Sequence, residues 1–128
     1  MVTVPKESYQ FGNTVVVPSA GTLQLRGAGN SLAGFRILRA GYLVSASIQV
    51  EVVDATRAYN LDIRRNGVSI ATVPLAISTL GNAVAVTSPI ALAIGDVITA
   101  FMVRTSGAGA STFTEENAVV EIAYTLTP

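Results

Sequence analysis

From Tyr42 to Val53 the chain alternates strictly. Tyr42, Val44, Ala46, Ile48, Val50 and Val52 fall on one side, and Leu43, Ser45, Ser47, Gln49, Glu51 and Val53 on the other. Successive side chains of a strand point to opposite faces, so this period of two commits the segment to a half-buried β-strand. The first set is the expected core face and the second the wetter one. The run is long for one strand, so a bend or bulge is expected to divide it.

Similar patterns recur along the chain. After the polar link Asp54-Ala55-Thr56-Arg57, the residues Tyr59, Leu61 and Ile63 alternate with Asn60, Asp62 and Arg64. Asn66-Gly67 follows, the strongest local hairpin signal, because both central positions of a type I′ turn need positive φ. Val68–Val73 is the expected return strand, closed by Pro74. A weaker strand runs over Gly81–Thr87, ended by Pro89. Gly95-Asp96 turns into a strand over Val97–Thr105, and the last strand covers Ala118–Leu126, with Val120, Ile122, Tyr124 and Leu126 inward. Ser106–Ser111 reads as a flexible loop of small residues, with Phe113 re-anchoring the chain. The first forty residues offer short candidates at Thr14–Val17, Thr22–Arg26 and Phe35–Leu38, with a turn over Gly27–Asn30. No long amphipathic helix, repeat or linker is visible. About eight or nine strands at roughly ten-residue spacing predict an all-β, antiparallel sandwich or barrel. At 128 residues the chain makes one domain, with an expected folded surface of roughly 6,400 Å².

The residue inventory removes whole classes of chemistry. There is no histidine and no cysteine. A Ser-His-Asp triad, a Cys-His pair and the usual zinc and haem ligands are therefore excluded, and no cofactor is expected. Gly29-Asn30-Ser31-Leu32 is similar to a serine-esterase nucleophile block, but it has no base. Glu115 and Glu116 are adjacent, so in a strand they would point apart; they read as a solvated loop rather than a glycosidase pair. Asp54 and Asp62 are a second carboxylate pair that a turn would bring close. The chain is not expected to be an enzyme. With 8 cationic and 8 acidic residues its net charge is zero, which argues against nucleic acid as a partner. From Asn66 to Gly95 there is no charge at all. Pro74, Gly81, Asn82 and Pro89 interrupt that run, so membrane insertion is not expected. No charged-then-apolar signal opens the chain. Charged residues make up only 12%, against about 25% in typical soluble domains. A surface so poor in charge is expected to be covered by another subunit.

The order of strands and turns resembles the tumour-necrosis-factor-like jelly rolls, including the complement globular-head family. YNLDIRRNGVSIAT (Tyr59–Thr72) resembles that family's central hairpin. IALAIGDVITAFMV resembles its Leu-x-x-Gly-Asp-x-Val strand start, through Leu92, Gly95 and Asp96, with Ile98 in place of Val. STFTEENAVVEIAYTL resembles its Ser-Thr-Phe (Ser111, Thr112, Phe113) and closing strand. The match covers about seventy residues, from roughly 59 to 126. The resemblance implies an antiparallel β-sandwich with jelly-roll topology, of about eight to ten strands, assembled as a homotrimer. The chain departs from that family in its shortness, its 4 Tyr and 4 Phe with no Trp, and its lack of disulfides and of a collagen-like stalk. In style it resembles phage capsid-decoration, head-fibre and fibre-tip proteins.

The expected organisation is an arm at residues 1–13 and one jelly-roll domain at 14–128. The expected function is that of a structural virion protein, made in the host cytoplasm, trimeric, and bound to a capsid or tail protein. A fibre-tip module that binds a host receptor or glycan is the alternative, with the loop 105–117 carrying specificity. A strand apolar on both faces has two partners, so Ile98, Ala100 and Met102, with Tyr42, Tyr59 and Tyr124, are the expected subunit interface. Lys6, Arg57, Arg64, Arg65, Phe113 and Thr114 are the expected contacts to a partner.

Overall fold

A computed structural model describes residues 5–124. The nine strands among them are β1 (Lys6–Asn13), β2 (Thr22–Gln24), β3 (Phe35–Arg36), β4 (Gly41–Val50), β5 (Ala58–Arg65), β6 (Val68–Leu75), β7 (Gly81–Leu92), β8 (Val97–Ser106) and β9 (Glu116–Tyr124). One sheet has the order β1-β9-β4-β7. The other runs β2-β8-β5-β6, with β3 also paired to β8. All pairings are antiparallel, and five of them nest: β5 with β6, β4 with β7, β2 and β3 with β8, β1 with β9; β4 with β9 and β5 with β8 join these pairs side by side into the two sheets. A nested set of pairs rolled so that the chain alternates between two sheets is a jelly roll, and the sandwich is all-β as expected. The surface is 6745 Å², close to the value expected for an ordinary monomeric domain of this mass, so the two sheets close their own core.

The tip of the nest is Asn66-Gly67, with φ of 51° and 83°, the left-handed pair that a type I′ turn requires. Asn66 also ties this hairpin to the next strand. Its side chain accepts from Val97 N at 2.9 Å and donates to the Asp96 carboxylate at 3.0 Å.

The long alternating segment is divided, as expected. The register of β4 shifts between Leu43 and Ser45 against both neighbours. The extra residue reverses the phase, so Leu43 is inward and Tyr42 outward, while Ala46, Ile48 and Val50 keep the predicted core face. Val52 and Val53 lie beyond the strand and are exposed.

Several expectations are corrected. Residues 6–13 are not an arm: they form β1, paired along its length with β9, and Phe11 is in the core. Residues 1–4 of the expected arm, and Leu126 at the expected end of the last strand, lie outside the described residues. Thr14–Val17 is not a strand, though Val17 is fully buried. Neither Pro74 nor Pro89 ends its strand; β6 and β7 are the edges of their sheets, where a missing N–H leaves no ladder bond unmade.

Candidate functional site

The core decides which side chains remain for function. Ile98, Ala100 and Met102 were expected to face a neighbour. In the register of β8 against β5 they stand opposite Arg65, Ile63 and Leu61, and all three are essentially fully buried between the sheets. The face of β8 that turns outward is Val97, Thr99, Phe101 and Val103. The guanidinium of Arg64 lies 3.9 Å over the Phe101 ring, so the second apolar face is covered partly from within the chain. Tyr59 and Tyr124 are likewise core residues, at 1% and 5% exposure. Of the six expected interface residues only Tyr42 is free, 40% exposed on the outer side of β4.

Phe113 is also removed from the surface. It is fully buried, edge-on to Tyr59 at 5.0 Å between ring centroids. Thr114 is exposed, and its N–H and hydroxyl both donate to Glu51, which holds the exposed Glu51 carboxyl below its usual range. Lys6 is exposed at the start of β1. Arg65 donates to Ala91 O at 2.6 Å. Arg64 pairs with Asp62 at 2.7 Å, and Ser69 donates to the other Asp62 oxygen.

Arg57 belongs to a network centred on the buried Asp54, in what the sequence presents as a polar link. Asp54 is 4% exposed. Its carboxylate accepts from Thr56 N, Arg57 N, Thr112 N and the Tyr59 hydroxyl, and pairs with Arg57 at 3.3 Å. Burial acts to raise the Asp54 carboxyl, but the N–H groups of Thr56 and Thr112, the Tyr59 hydroxyl and the Arg57 N–H together hold it below its usual range. Burial, then the neighbouring carboxylate, pushes the Tyr59 phenol up to about 12. The same network fixes the loop expected to be flexible. Arg57 donates to Ala108 O at 2.6 Å and Arg104 to Gly109 O at 2.7 Å. Ser111 exchanges bonds with the backbone of Val17. Asp54 and Asp62 share no partner, so they do not form a carboxylate pair.

The sequence pattern places Glu115 and Glu116 together in a solvated loop, and for Glu116 the structure differs. Glu115 is exposed, but Glu116 opens the core-facing row of β9, followed by Ala118, Val120 and Ile122, and is 3% exposed. Neither of its carboxyl oxygens has a hydrogen-bond partner. Burial, and then the nearby Glu51 and Glu115, push its carboxyl up to about 8. A groove of about 1300 Å³ lies beside it, between the edge strand β1, the Arg26–Asn30 turn and the ends of β4 and β9. Among the described residues no three carboxylates come together in a metal-binding group.

The centre of the outer face of the four-stranded sheet is poor in charge. Ser45 and Ser47 of β4 stand opposite Ala85 and Ala83 of β7 on one side, and opposite Glu121 and Val119 of β9 on the other. Ser8 of β1 extends the row beside Glu121. These residues line a shallow depression of about 310 Å³. Glu121 is the one charge in it, and Ser45 donates to its carboxylate at 3.2 Å. Tyr42 continues this face past the bulge. Comparison with protein-family models finds none that matches the chain, and comparison with curated proteins finds no relative.

Proposed function

We propose that the chain is a structural assembly protein without catalytic activity. It forms a homotrimer through the outer face of the β1-β9-β4-β7 sheet and serves on a virion, as a capsid-decoration or head-fibre protein seated on a capsid or tail protein. The supporting observation is that outer face. The depression at its centre is lined by small side chains of Ser8, Ser45, Ser47, Ala83 and Ala85, so a second sheet can approach closely there, and Glu121 is the one charge lining it. The 12% charge content points the same way. The nested jelly-roll pairing agrees with the resemblance from which the number three comes, and the phage-like composition is what suggests a virion.

The fibre-tip alternative is less supported, because Phe113, an expected partner contact in the loop 105–117, is in the core and that loop is pinned. Two variants test the assembly. Ala83→Arg and Ser47→Arg place a cation on the face and touch no core residue. Each is expected to keep the wild-type circular dichroism and to fall from three chains to one in solution mass. Variants that keep the wild-type mass would place the contact elsewhere. For the virion role, the protein is expected to remain with particles through a density gradient of an infected culture; its absence from the particle fraction contradicts that role.

A further inference from the structure

Asn66-Gly67 is the one place in the chain where a glycine follows an asparagine; Asn13, Asn30, Asn60, Asn82 and Asn117 all precede larger residues. The pairing matters chemically. An asparagine side chain can be attacked at its carbonyl carbon by the backbone nitrogen of the next residue, and a glycine there has no Cβ to stand in the way. Nothing shields the pair at the hairpin tip. Both residues are exposed. The Gly67 N–H donates to no group among the described residues, and a Cβ placed on Gly67 would meet nothing within 4 Å.

The Asn66 side chain, however, is held at both ends. Its Oδ1 accepts from Val97 N at 2.9 Å and its Nδ2 donates to Asp96 at 3.0 Å, while Asn66 N donates to Val97 O at 2.8 Å. The amide must release both side-chain partners before its carbon can turn to the Gly67 nitrogen. Attack proceeds only from a conformer that brings the reacting atoms to about 3–3.5 Å. Asp96 is itself fixed, because its second oxygen accepts from Ala93 N at 2.8 Å. The Ala93 N–H, and then the Asn66 amide, hold the exposed Asp96 carboxyl below its usual range, with Arg65 the least of the influences on it. Asp96 is therefore an anion at neutral pH.

We propose that Asn66-Gly67 is a site of spontaneous deamidation, that the fold holds it shut through Asp96 and Val97, and that the reaction, once it occurs, turns the tie between the β5–β6 hairpin and β8 into a clash of two carboxylates. The Gly67 nitrogen bonds to Asn66 Cγ, the bond from Cγ to Nδ2 breaks, and ammonia leaves with the proton that Gly67 gives up. Water then opens the succinimide at either carbonyl, leaving aspartate or isoaspartate; no other reactant is needed. Either product replaces an amide donor with an anion facing Asp96. Breakage of the tie, by local opening of the tip, is the step that limits the rate. The inference does not rest on the trimer, since neither Ala83 nor Ser47 takes part.

The test follows deamidation at Asn66 by peptide mass spectrometry while the purified chain stands in mildly alkaline buffer. Exposed Asn30, followed by Ser31, is the reference in the same digest. Wild type is expected to react at Asn66 about tenfold or more faster in urea than when folded; this arm needs no substitution. Asp96→Ala is expected to raise the folded rate at Asn66 about tenfold and to leave Asn30 unchanged. Asp96→Asn, whose side-chain oxygen still accepts from the Asn66 amide, is expected to react like wild type. Asn66→Asp is expected to melt below wild type, and Asn66→Asp with Asp96→Asn to recover most of the loss, because one amide again faces one carboxylate. An Asn66 that does not react in urea, or that reacts equally fast folded and unfolded, overturns the proposal. So does an Asp96→Ala chain whose Asn66 keeps the wild-type rate, or one in which Asn30 quickens equally, since the tie is then not the guard. An Asn66→Asp chain as stable as wild type, or one that Asp96→Asn fails to rescue, overturns the carboxylate clash.

Discussion

Glu116 stands where the strand pattern calls for an aliphatic side chain, and this makes it a measurable burden on the fold. Its carboxyl is raised from 4.5 to about 8. Below about pH 4.5 both folded and unfolded chains hold the proton, and its ionisation has no effect on stability. Between about 4.5 and 8 the unfolded chain releases the proton while the folded one keeps it, so stability falls as pH rises, by about 1.4 kcal/mol per unit at most; above that range the loss is constant. Glu116→Gln is therefore expected to stabilise the protein at pH 8 by about 2–4 kcal/mol and to change little at pH 4. Urea unfolding of both proteins at the two pH values checks this, and a Gln variant less stable at pH 8 contradicts it. Asp54 acts in the opposite sense. Its lowered carboxyl contributes stability above its unfolded pKa that is lost as pH falls through the folded value. Asp54→Ala strands the Arg57 charge and leaves Tyr59 and three N–H groups unpartnered. It is expected to cost about 3 kcal/mol in the same assay. Neither residue was legible in the sequence. Glu116 is two residues ahead of an apolar row and looks like its polar flank; only pairing with Asn13 and Val50 fixes it on the core face. Asp54 has two local partners within three positions, which an Asx turn would suggest, but Tyr59, Thr112 and the loop beyond come from folding.

At the scale of elements, the period-two segments were readable wherever one face is apolar and the other polar. Tyr59, Leu61 and Ile63 are core residues in the predicted phase, as are Val120 and Ile122. The reading of β8 failed for the same physical reason. Val97, Phe101 and Val103 are as apolar as Ile98, Ala100 and Met102, so alternation cannot choose a face, and the β5 register does. In β4 a bulge was expected, but its position was not, and one residue decides whether Tyr42 or Leu43 is buried. The Asn66-Gly67 turn was fully legible, because its geometry is local. It also supports a prediction that separates conformation from bonding. Asn66→Gly keeps the positive φ at no steric cost but removes the two bonds to Asp96 and Val97. Asn66→Ala loses both and adds left-handed strain of about 1–2 kcal/mol. Thermal unfolding is expected to order them wild type, Gly, then Ala; an Ala variant as stable as the Gly variant contradicts the turn assignment.

At the scale of the whole molecule, the jelly roll closes a core sufficient for a free-standing domain. The sparse charge is then a statement about surface rather than folding. Edges are guarded by Pro74 and Pro89 and by Lys6, which discourages open-ended strand pairing and leaves the outer sheet face as the place for the assembly proposed above. The fold class was legible because hairpin and strand signals are local; for the proposed assembly the sequence offers only a shortage of charge, since the face it would use exists only after β1, β9, β4 and β7 are brought side by side. The most direct measurement is the solution mass of the purified protein by light scattering on a sizing column. The account predicts a mass near three times 13.2 kDa, falling to one chain with Ala83→Arg. A wild-type protein that elutes and scatters as a single chain of 13.2 kDa contradicts it.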